Sequence, residues 1–243
     1  FSLVLGGPLF QFFISARINT DTLGLLKRRV VVISLFTWFP LLLFSVFSGE
    51  VLGSESKVPF FYDLDVHLRF LVALPLLLIA ELIVHLRIRP IVWQFIDRGI
   101  ISKRDRPEFE GIIASALSLR NSMVIEILLI ILVLTTGHYL WSSQLALEAA
   151  TWYASVVEGE HRFTLAGYWY VYISIPVFQF LLLRWYFRIF IWAQFLWRVS
   201  RMELHLVPTH PDRAGGLGFL GECTAAFMPL LLAQGVLLAG QIG

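Results

Sequence analysis

Five apolar segments, each long enough to cross a membrane, constrain the fold of this chain more than any other feature. They run from about Val30 to Ser48, Leu68 to Leu86, Met123 to Trp141, Ala166 to Leu183, and Leu217 to the end. About 20 apolar residues in a helix span the hydrocarbon core of a bilayer. Charged residues make up only 15% of the 243 residues, against roughly a quarter in soluble domains. The sequence therefore predicts an all-α, polytopic transmembrane bundle of about five spans.

The first sixteen residues are apolar but are interrupted by Gly6, Gly7 and Pro8. This pattern favours an N-terminal interfacial or re-entrant segment over a complete span. No repeat is evident at a spacing of about 20 to 50 residues, so we expect residues 1–243 to form a single transmembrane domain. Because the chain starts without Met and stops within an apolar run, we also expect it to be an excerpt of a longer protein.

The number of basic residues alternates from one connection to the next. Lys and Arg number 4 before the first span, and then 1, 7, 1 and 5 in the stretches that follow the successive spans. Cytoplasmic loops are enriched in Lys and Arg. We therefore expect the N-terminus, the connection 87–122 and the segment after residue 183 to face the cytoplasm. The net charge of +2 is too small to indicate a nucleic-acid partner.

A few ionisable residues lie within the spans or at their ends, at a similar depth. Glu81, His85, Glu126 and Arg184 could line a cytoplasm-facing cavity on the path of a solute or ion. A lone charge in hydrocarbon costs about 3 kcal/mol or more, so such groups usually face a partner or water. The alternative is a structural ion-pair knot, or side chains that reach the inner headgroups. We favour this alternative for Arg188 and His85.

Alternating acids precede the second span in the stretch YDLDVHLR. Asp63, Asp65, His67 and Arg69 could hold a cation, but we favour a capped helix start. Prolines also interrupt four of the spans, at Pro40, Pro75, Pro176 and Pro229. Such interruptions are typical of transporters and channels, and they are common in other membrane proteins as well.

Residues 184–202, RWYFRIFIWAQFLWRVSRM, combine aromatic residues with arginines. This composition suits the inner headgroup layer. Arg188 and Arg198 are therefore candidates for contact with anionic lipid headgroups, although simple anchoring in the interface is the favoured reading.

The stretch ELHLVPTHPDRAGGLGF, residues 203–219, contains the chain's weak metal candidates. His205, His210 and Asp212 could each ligate a metal, because zinc takes three or four N, S or O ligands. Prolines interrupt the chain between the histidines, however, and no HExxH or CxxC pattern is present. We therefore expect no metal and no cofactor.

The same stretch also suits a phosphate or lipid headgroup. Arg213, Gly215 and Gly216 directly precede a helix, and exposed backbone N–H groups at such a position favour an anion. The alternative is a stiff loop in which Asp212 or Thr209 caps the fifth span.

Small residues follow this loop in two groups, Gly221 with Ala225, and Gly235 with Ala239 and Gly243. Their spacing of four is typical of helix contact faces in membranes. These faces could pack within one chain or between copies, so a homo-oligomer stays open. Membrane lipids are the other expected partner.

The motif THPDRAGGLGFL, together with VPFFYDLDVHLRFLVALPLL and FQFLLLRWYFRIFIWAQFLWRVSR, resembles an uncharacterised bacterial family of multi-spanning inner-membrane proteins. The resemblance covers the whole chain. It implies a bacterial cytoplasmic membrane, and it implies no activity and no catalytic residues.

Three functions are compatible with the sequence. The first, which we favour, is transport or conduction of a small solute or ion. The second is a non-transporting sensor or scaffold that binds lipid or a partner. The third is a membrane-embedded enzyme that modifies lipids.

Overall fold

The computed structural model describes residues 22–52, 58–144, 151–157 and 160–242. Its long helices are α1 (Thr22–Phe47), α2 (Leu64–Asp97), α3 (Arg106–Arg120), α4 (Met123–Gln144), α5 (Leu165–Val199) and α6 (Glu222–Ile242). An antiparallel hairpin separates α4 from α5, and its strands are β1 (Ala154–Val157) and β2 (Glu160–Phe163). Short 3-10 turns cover Phe60–Tyr62 and Gly218–Gly221. The predicted helical bundle is thus confirmed, whereas the predicted N-terminal segment lies outside the described residues.

Four helical segments of the described chain are long and apolar enough to cross a membrane. They are Leu26–Phe47, Leu64–Asp97, Leu165–Val199 and Gly218–Ile242. The third predicted span is also helical, but it meets the same test only together with α3, from which Met123–Thr135 departs at 42°. The protein itself buries only 22 to 44% of the most apolar windows of the four segments. Such exposed apolar surface suits lipid contact, because it would be a liability in water.

The contacts of the chain group into two compact units. The first unit contains Ile79–Ile125 and Arg184–Leu230, and the second contains Asp21–Leu78, Glu126–Leu183 and Leu231–Gly243. Several helices run from one unit into the other, and the contacts of each unit are described separately.

Helices α2 and α5 each contain one π-helical turn directly before a proline. The turns are Arg69–Ala73 and Tyr170–Ser174, and the prolines are Pro75 and Pro176. A proline lacks the N–H that would bond the carbonyl four residues earlier, and its ring clashes with that carbonyl. A widened turn relieves the clash without ending the helix. At these two positions the chain therefore continues through the proline with one locally wider turn.

These features recur along the chain at a constant separation of 101 residues, the separation of Arg69 and Tyr170. Four pairs of equivalent residues have this separation. They are the capping residues Asp63/Thr164, the first helical residues Leu64/Leu165, the first residues of the π turns Arg69/Tyr170, and the prolines Pro75/Pro176. Each helix also follows another long helix, α1 before α2 and α4 before α5. The chain thus repeats one helix–connection–helix order twice.

An aromatic cluster forms the core of the first unit. It consists of Phe95 from α2, Phe109 from α3, Phe195 from α5 and Phe219 from the turn before α6, with ring centroids 5.0 to 6.4 Å apart. In the same unit Glu81 contacts Arg188. Because residue numbers rise together along both helices, from 81 to 95 and from 188 to 195, α2 and α5 run parallel.

In the second unit, α1 packs against the beginning of α5. The Ser174 hydroxyl donates to the carbonyl of Thr37 over 2.7 Å, and both residues are buried. The hairpin region packs there too, because a Cβ on Gly167 would lie 2.0 Å from the carbonyl oxygen of Tyr153. Only glycine permits this approach.

Part of the predicted small-residue face of α6 makes no close contact within this chain. Gly235 is exposed, a Cβ there would meet nothing within 4 Å, and Ala239 is also exposed. The close approach occurs one residue later, where a Cβ on Gly240 would lie 3.1 Å from the Cα of Asp65. Gly243 lies outside the described residues. A spacing of four identifies a face of the helix, but it does not identify which face meets a neighbour.

Candidate functional site

A buried ion cluster lies in the first unit, between α2 and α5. The Arg188 guanidinium donates to Oε1 of Glu81 over 2.8 Å, and Arg184 lies 3.7 Å from the same oxygen. Arg188 is 3% exposed, and Glu81 and Arg184 are each 7% exposed. Two guanidinium groups therefore stabilise one carboxylate inside apolar helices, where an unpaired charge would be costly.

Two members of the predicted four-residue cluster are in contact within the first unit. Glu81 and Arg184 meet as described. His85 lies one turn further along α2 and is half-buried, with Arg89 among the charges acting on it. Glu126 is half-buried near the start of α4 and belongs to the second unit.

The arginines proposed for headgroup contact occupy different environments. Arg188 is buried against Glu81 and stacks over Trp185 at 4.9 Å, so its proposed role as a headgroup ligand requires correction. Arg198 is half-buried and donates to the Ser115 hydroxyl over 2.8 Å. Arg213 is exposed, which leaves it accessible to an anion.

The HPDRAGG loop is organised around the carboxylate of Asp212. Its oxygens accept hydrogen bonds from the backbone N–H groups of Ala214, Gly216 and Gly218 over 2.9, 3.1 and 2.8 Å. Nδ1 of His210 lies 2.8 Å from the carboxylate and 3.3 Å from the Asp212 backbone nitrogen. Nδ1 cannot donate to the carboxylate and accept from the backbone N–H at the same time. The contact with the carboxylate is the shorter of the two and therefore the stronger, so Nδ1 acts as the donor. Because Gly218 begins the turn that leads into α6, Asp212 caps that span.

These hydrogen bonds also determine the acidity of Asp212. Desolvation acts to raise its pKa, but the N–H donors of Ala214, Gly218 and Gly216, followed by His210, outweigh it. Together they hold the pKa of Asp212 well below its ordinary value of 3.8. The loop therefore carries a stable negative charge.

The phosphate interpretation of the loop also requires correction. Arg213, Gly215 and Gly216 adopt positive φ angles of 55°, 65° and 100°, and such backbone often forms a concave anion site. Here the converging N–H groups already bind the carboxylate of Asp212. An external phosphate would have to displace it.

The metal candidates do not converge. His205 is exposed, and its backbone N–H donates to the carbonyl of Ile100. His210 and Asp212 contact each other as described. Within the described ranges, no group of three or more His, Cys, Asp or Glu side chains is placed to hold a metal ion.

The acids before α2 form a capped helix start, as expected. Asp63 accepts a hydrogen bond from the backbone N–H of Val66 over 3.2 Å and one from the indole N–H of Trp152 over 2.8 Å. Nδ1 of His67 accepts from the indole of Trp38, and Nε2 lies 3.1 Å from the carbonyl of Phe60. An indole N–H can only donate, so this geometry requires a neutral His67 that carries its proton on Nε2.

Sequence reasoning missed the junction of the two π turns, which lies in the second unit. Nη1 of Arg69, the first residue of one turn, donates to the hydroxyl of Tyr170, the first residue of the other, over 3.2 Å. Arg69 also forms an ion pair with Asp65 and lies over the ring of Phe178. π-helical turns occur frequently at functional sites. The matching positions of Pro75 and Pro176 were the available signal in the sequence.

A partly open cavity of about 310 Å³ lies beside this junction. Two helices contribute stripes at positions i, i+3, i+4 and i+7, which places each stripe on one helix face. Together with Arg69 the lining is Ile175, Phe178, Gln179 and Leu182 of α5, and Gln234, Leu237, Leu238 and Gln241 of α6. Among the described residues, Oε1 of Gln179 and Nε of Arg69 are buried polar atoms without a hydrogen-bond partner.

No protein-family model, curated protein or solved structure matches this chain. The class of the protein therefore rests on its own geometry. Among the described residues, four or five helices of this helical bundle have the length and composition to cross a membrane.

Proposed function

We propose that this protein transports or conducts a small solute across the bacterial cytoplasmic membrane, and that the cavity beside Arg69 and Tyr170 is its binding site. The observation that carries the proposal is the repeated pair of proline-interrupted helices, which touch at Arg69 and Tyr170. In transporters built from internal repeats, segments interrupted at corresponding positions of the two halves are the best indication of the binding site.

The repeat has a direction that fits this proposal. Helices α2 and α5 run parallel, so the two copies are parallel repeats, which also occur in known transporter folds. The alternation of basic residues then assigns the beginnings of both helices to the outer face and the N-terminus of the chain to the cytoplasm. On this assignment the cavity lies nearer the outer face, because Arg69 follows closely on the start of α2.

Glu81 and its two arginines serve this function as a second polar element. A buried ion pair contributes little net stability compared with apolar residues of the same volume. Its presence inside apolar helices therefore points to a role beyond folding, such as a pair that opens when the helices move. The exposed position of Arg213 supports the lipid-binding scaffold less strongly, because a single surface arginine forms no site.

Osmotic swelling of proteoliposomes tests the proposal. Vesicles with and without the purified protein are mixed with glycerol, glucose, urea or potassium chloride, and solute entry is followed by stopped-flow light scattering. We expect at least one solute to enter faster when the protein is present. The proposal fails if every solute enters protein-containing and protein-free vesicles at the same rate.

Two substitutions relate any flux to the junction. Tyr170→Phe removes the hydroxyl that Arg69 binds and keeps the ring, so we expect it to slow entry. Tyr172→Phe is the matched control, because Tyr172 lies in the same turn but is exposed. Equal slowing by both variants would contradict a specific role of the junction. If Glu81→Gln leaves every flux unchanged, the ion cluster has no part in transport.

A further inference from the structure

We infer that the cavity beside Arg69 recognises an uncharged, hydroxyl-rich group of about the size of a monosaccharide. This inference rests on the proposed function in that it names the ligand of the proposed binding site. The inference itself concerns binding, so it can be tested without any measurement of flux.

The size of the ligand follows from the volume of the cavity. A volume of about 310 Å³ accommodates roughly ten water-sized atoms, at about 30 Å³ for each water. It lies at the lower end of the range of ligand pockets, about 300 to 1,000 Å³. A sugar ring or a short polyol fits this space, whereas a nucleotide or a peptide does not.

The absence of net charge on the ligand follows from the lining. Arg69 is the one ionisable side chain among the nine lining residues, and it forms an ion pair with Asp65. An anionic ligand would therefore have to compete with Asp65 for the guanidinium. A cationic ligand would be repelled by the guanidinium, and no carboxylate in the lining would neutralise its charge. An uncharged ligand incurs neither cost.

Hydroxyl groups match the polar atoms of the lining. The unpartnered Oε1 of Gln179 requires a donor, and the unpartnered Nε–H of Arg69 requires an acceptor. Each hydroxyl both donates and accepts. Gln234 and Gln241 add amides seven residues apart on one face of α6. An amide can both donate to and accept from a hydroxyl, so this wall favours a ligand with several hydroxyls around its edge.

The apolar part of the lining matches the remaining surface of such a ligand. Five of the nine lining residues are Ile, Leu or Phe, and they separate the amides. A sugar ring presents C–H faces between hydroxyl edges, and it can thus satisfy both kinds of wall. The group could belong to a free sugar or polyol, or to the headgroup of a glycolipid, because both offer the same chemistry.

Protection of an introduced thiol provides the test. Leu182→Cys places a thiol in the cavity wall, in a background in which Cys223→Ser removes the native thiol. Its reaction rate with methyl methanethiosulfonate is measured while glucose, sorbitol or glycerol is titrated. Ser200→Cys, which lies outside the spans and is exposed, controls for general effects of the additives. Thermal stabilisation would be a poor readout, since sugars stabilise proteins by exclusion from their surface.

We expect at least one polyol to slow the reaction at position 182 and none to slow it at position 200. Gln179→Leu removes the unpartnered oxygen and should weaken protection roughly fivefold, the loss expected for one uncharged hydrogen bond. Gln241→Leu is a second variant nearer the end of α6, for the case in which Gln179→Leu does not fold. Nanodiscs with and without a glucosyl diacylglycerol distinguish a free sugar from a lipid headgroup.

Several results would overturn the inference. Sugars, polyols and the glucolipid could all leave the labelling rate unchanged, or succinate could protect better than any polyol. Unchanged protection in both glutamine variants would also contradict it. Protection without solute flux would remove the proposed transport function and leave the assigned ligand class intact.

Discussion

Replacing Glu81 with glutamine tests whether the buried ion cluster stabilises the protein. At an effective dielectric constant of about 20, unit charges separated by the 2.8 Å and 3.7 Å of the two contacts attract by about 6 and about 4.5 kcal/mol. Desolvation offsets several kcal/mol per ion, so the net value of the cluster is small. Glu81→Gln nevertheless leaves two buried guanidinium groups without their carboxylate. We expect it to lower the free energy of unfolding by about 3–5 kcal/mol.

A double-mutant cycle separates the two arginines. Nη1 of Arg188 is within hydrogen-bond distance of Glu81, whereas Arg184 at 3.7 Å is not. The coupling energy of Glu81 with Arg188 should therefore exceed that with Arg184 by about 1.5–3 kcal/mol, the usual value of a hydrogen bond to a charged group. The variants are Glu81→Gln, Arg188→Met and Arg184→Met, singly and in pairs with Glu81→Gln. Denaturant unfolding in mixed micelles measures each free energy.

An exposed ion pair of the same chain is the matched control. Arg106 and Glu110 lie 3.1 Å apart on α3, with side chains 49% and 61% exposed. Such a surface pair contributes only about 0.3–0.5 kcal/mol, so Glu110→Gln should change stability very little. A loss of stability for Glu81→Gln no larger than that for Glu110→Gln, or equal coupling energies of Glu81 with the two arginines, would contradict a stabilising role of the buried cluster.

Three further predictions concern the packing of a glycine, the charge of Asp212 and the orientation of the chain in the membrane. Gly167→Ala places a Cβ 2.0 Å from a backbone oxygen and should lower unfolding stability by about 2–3 kcal/mol. A Cβ on Gly111 would meet nothing within 4 Å, so Gly111→Ala should not destabilise the protein at all. Comparable losses of stability for the two variants would contradict the close packing at Gly167. Because the pKa of Asp212 is lower in the folded than in the unfolded protein, its stabilising effect is present above about pH 4 and falls below it. The protection factors of the amides of Ala214, Gly216 and Gly218, which correct the exchange rates for their intrinsic pH dependence, should therefore fall in acid in the wild type, and Asp212→Asn should lose this decrease. Finally, Lys103→Cys should react with an impermeant maleimide only after the cells are permeabilised, and labelling of intact cells would reverse the orientation.

Sequence alone predicted the elements that depend on local chemistry. The apolar spans require only length and composition, and Asp63 and Asp212 act through backbone groups a few residues away. Such short-range interactions are visible in a sequence because the partners are neighbours in the chain.

Pairing between distant segments could not be predicted in the same way. Arg188 bonds Glu81 across 107 residues, and Arg69 bonds Tyr170 across 101. Apolar periodicity gives each helix a face, but it does not state which helices are adjacent or how far one is shifted along the other. For this reason the sequence left open whether Arg188 lies in an ion pair or at the headgroups, and whether the small-residue face of α6 meets a helix of the same chain or of another copy.

The π-helical turns also affect how substitutions in α2 and α5 should be interpreted. A π turn holds one residue more than an α turn, and each residue advances a helix by about 100°. The side chains after Ala73 and after Ser174 are therefore rotated by about that angle relative to the phase set before each turn. A heptad numbering begun at Leu64 would assign the wrong face to every later position of α2. Deletion of one residue from either π turn would leave an ordinary α turn, so the polar groups that follow it would keep their side of the helix.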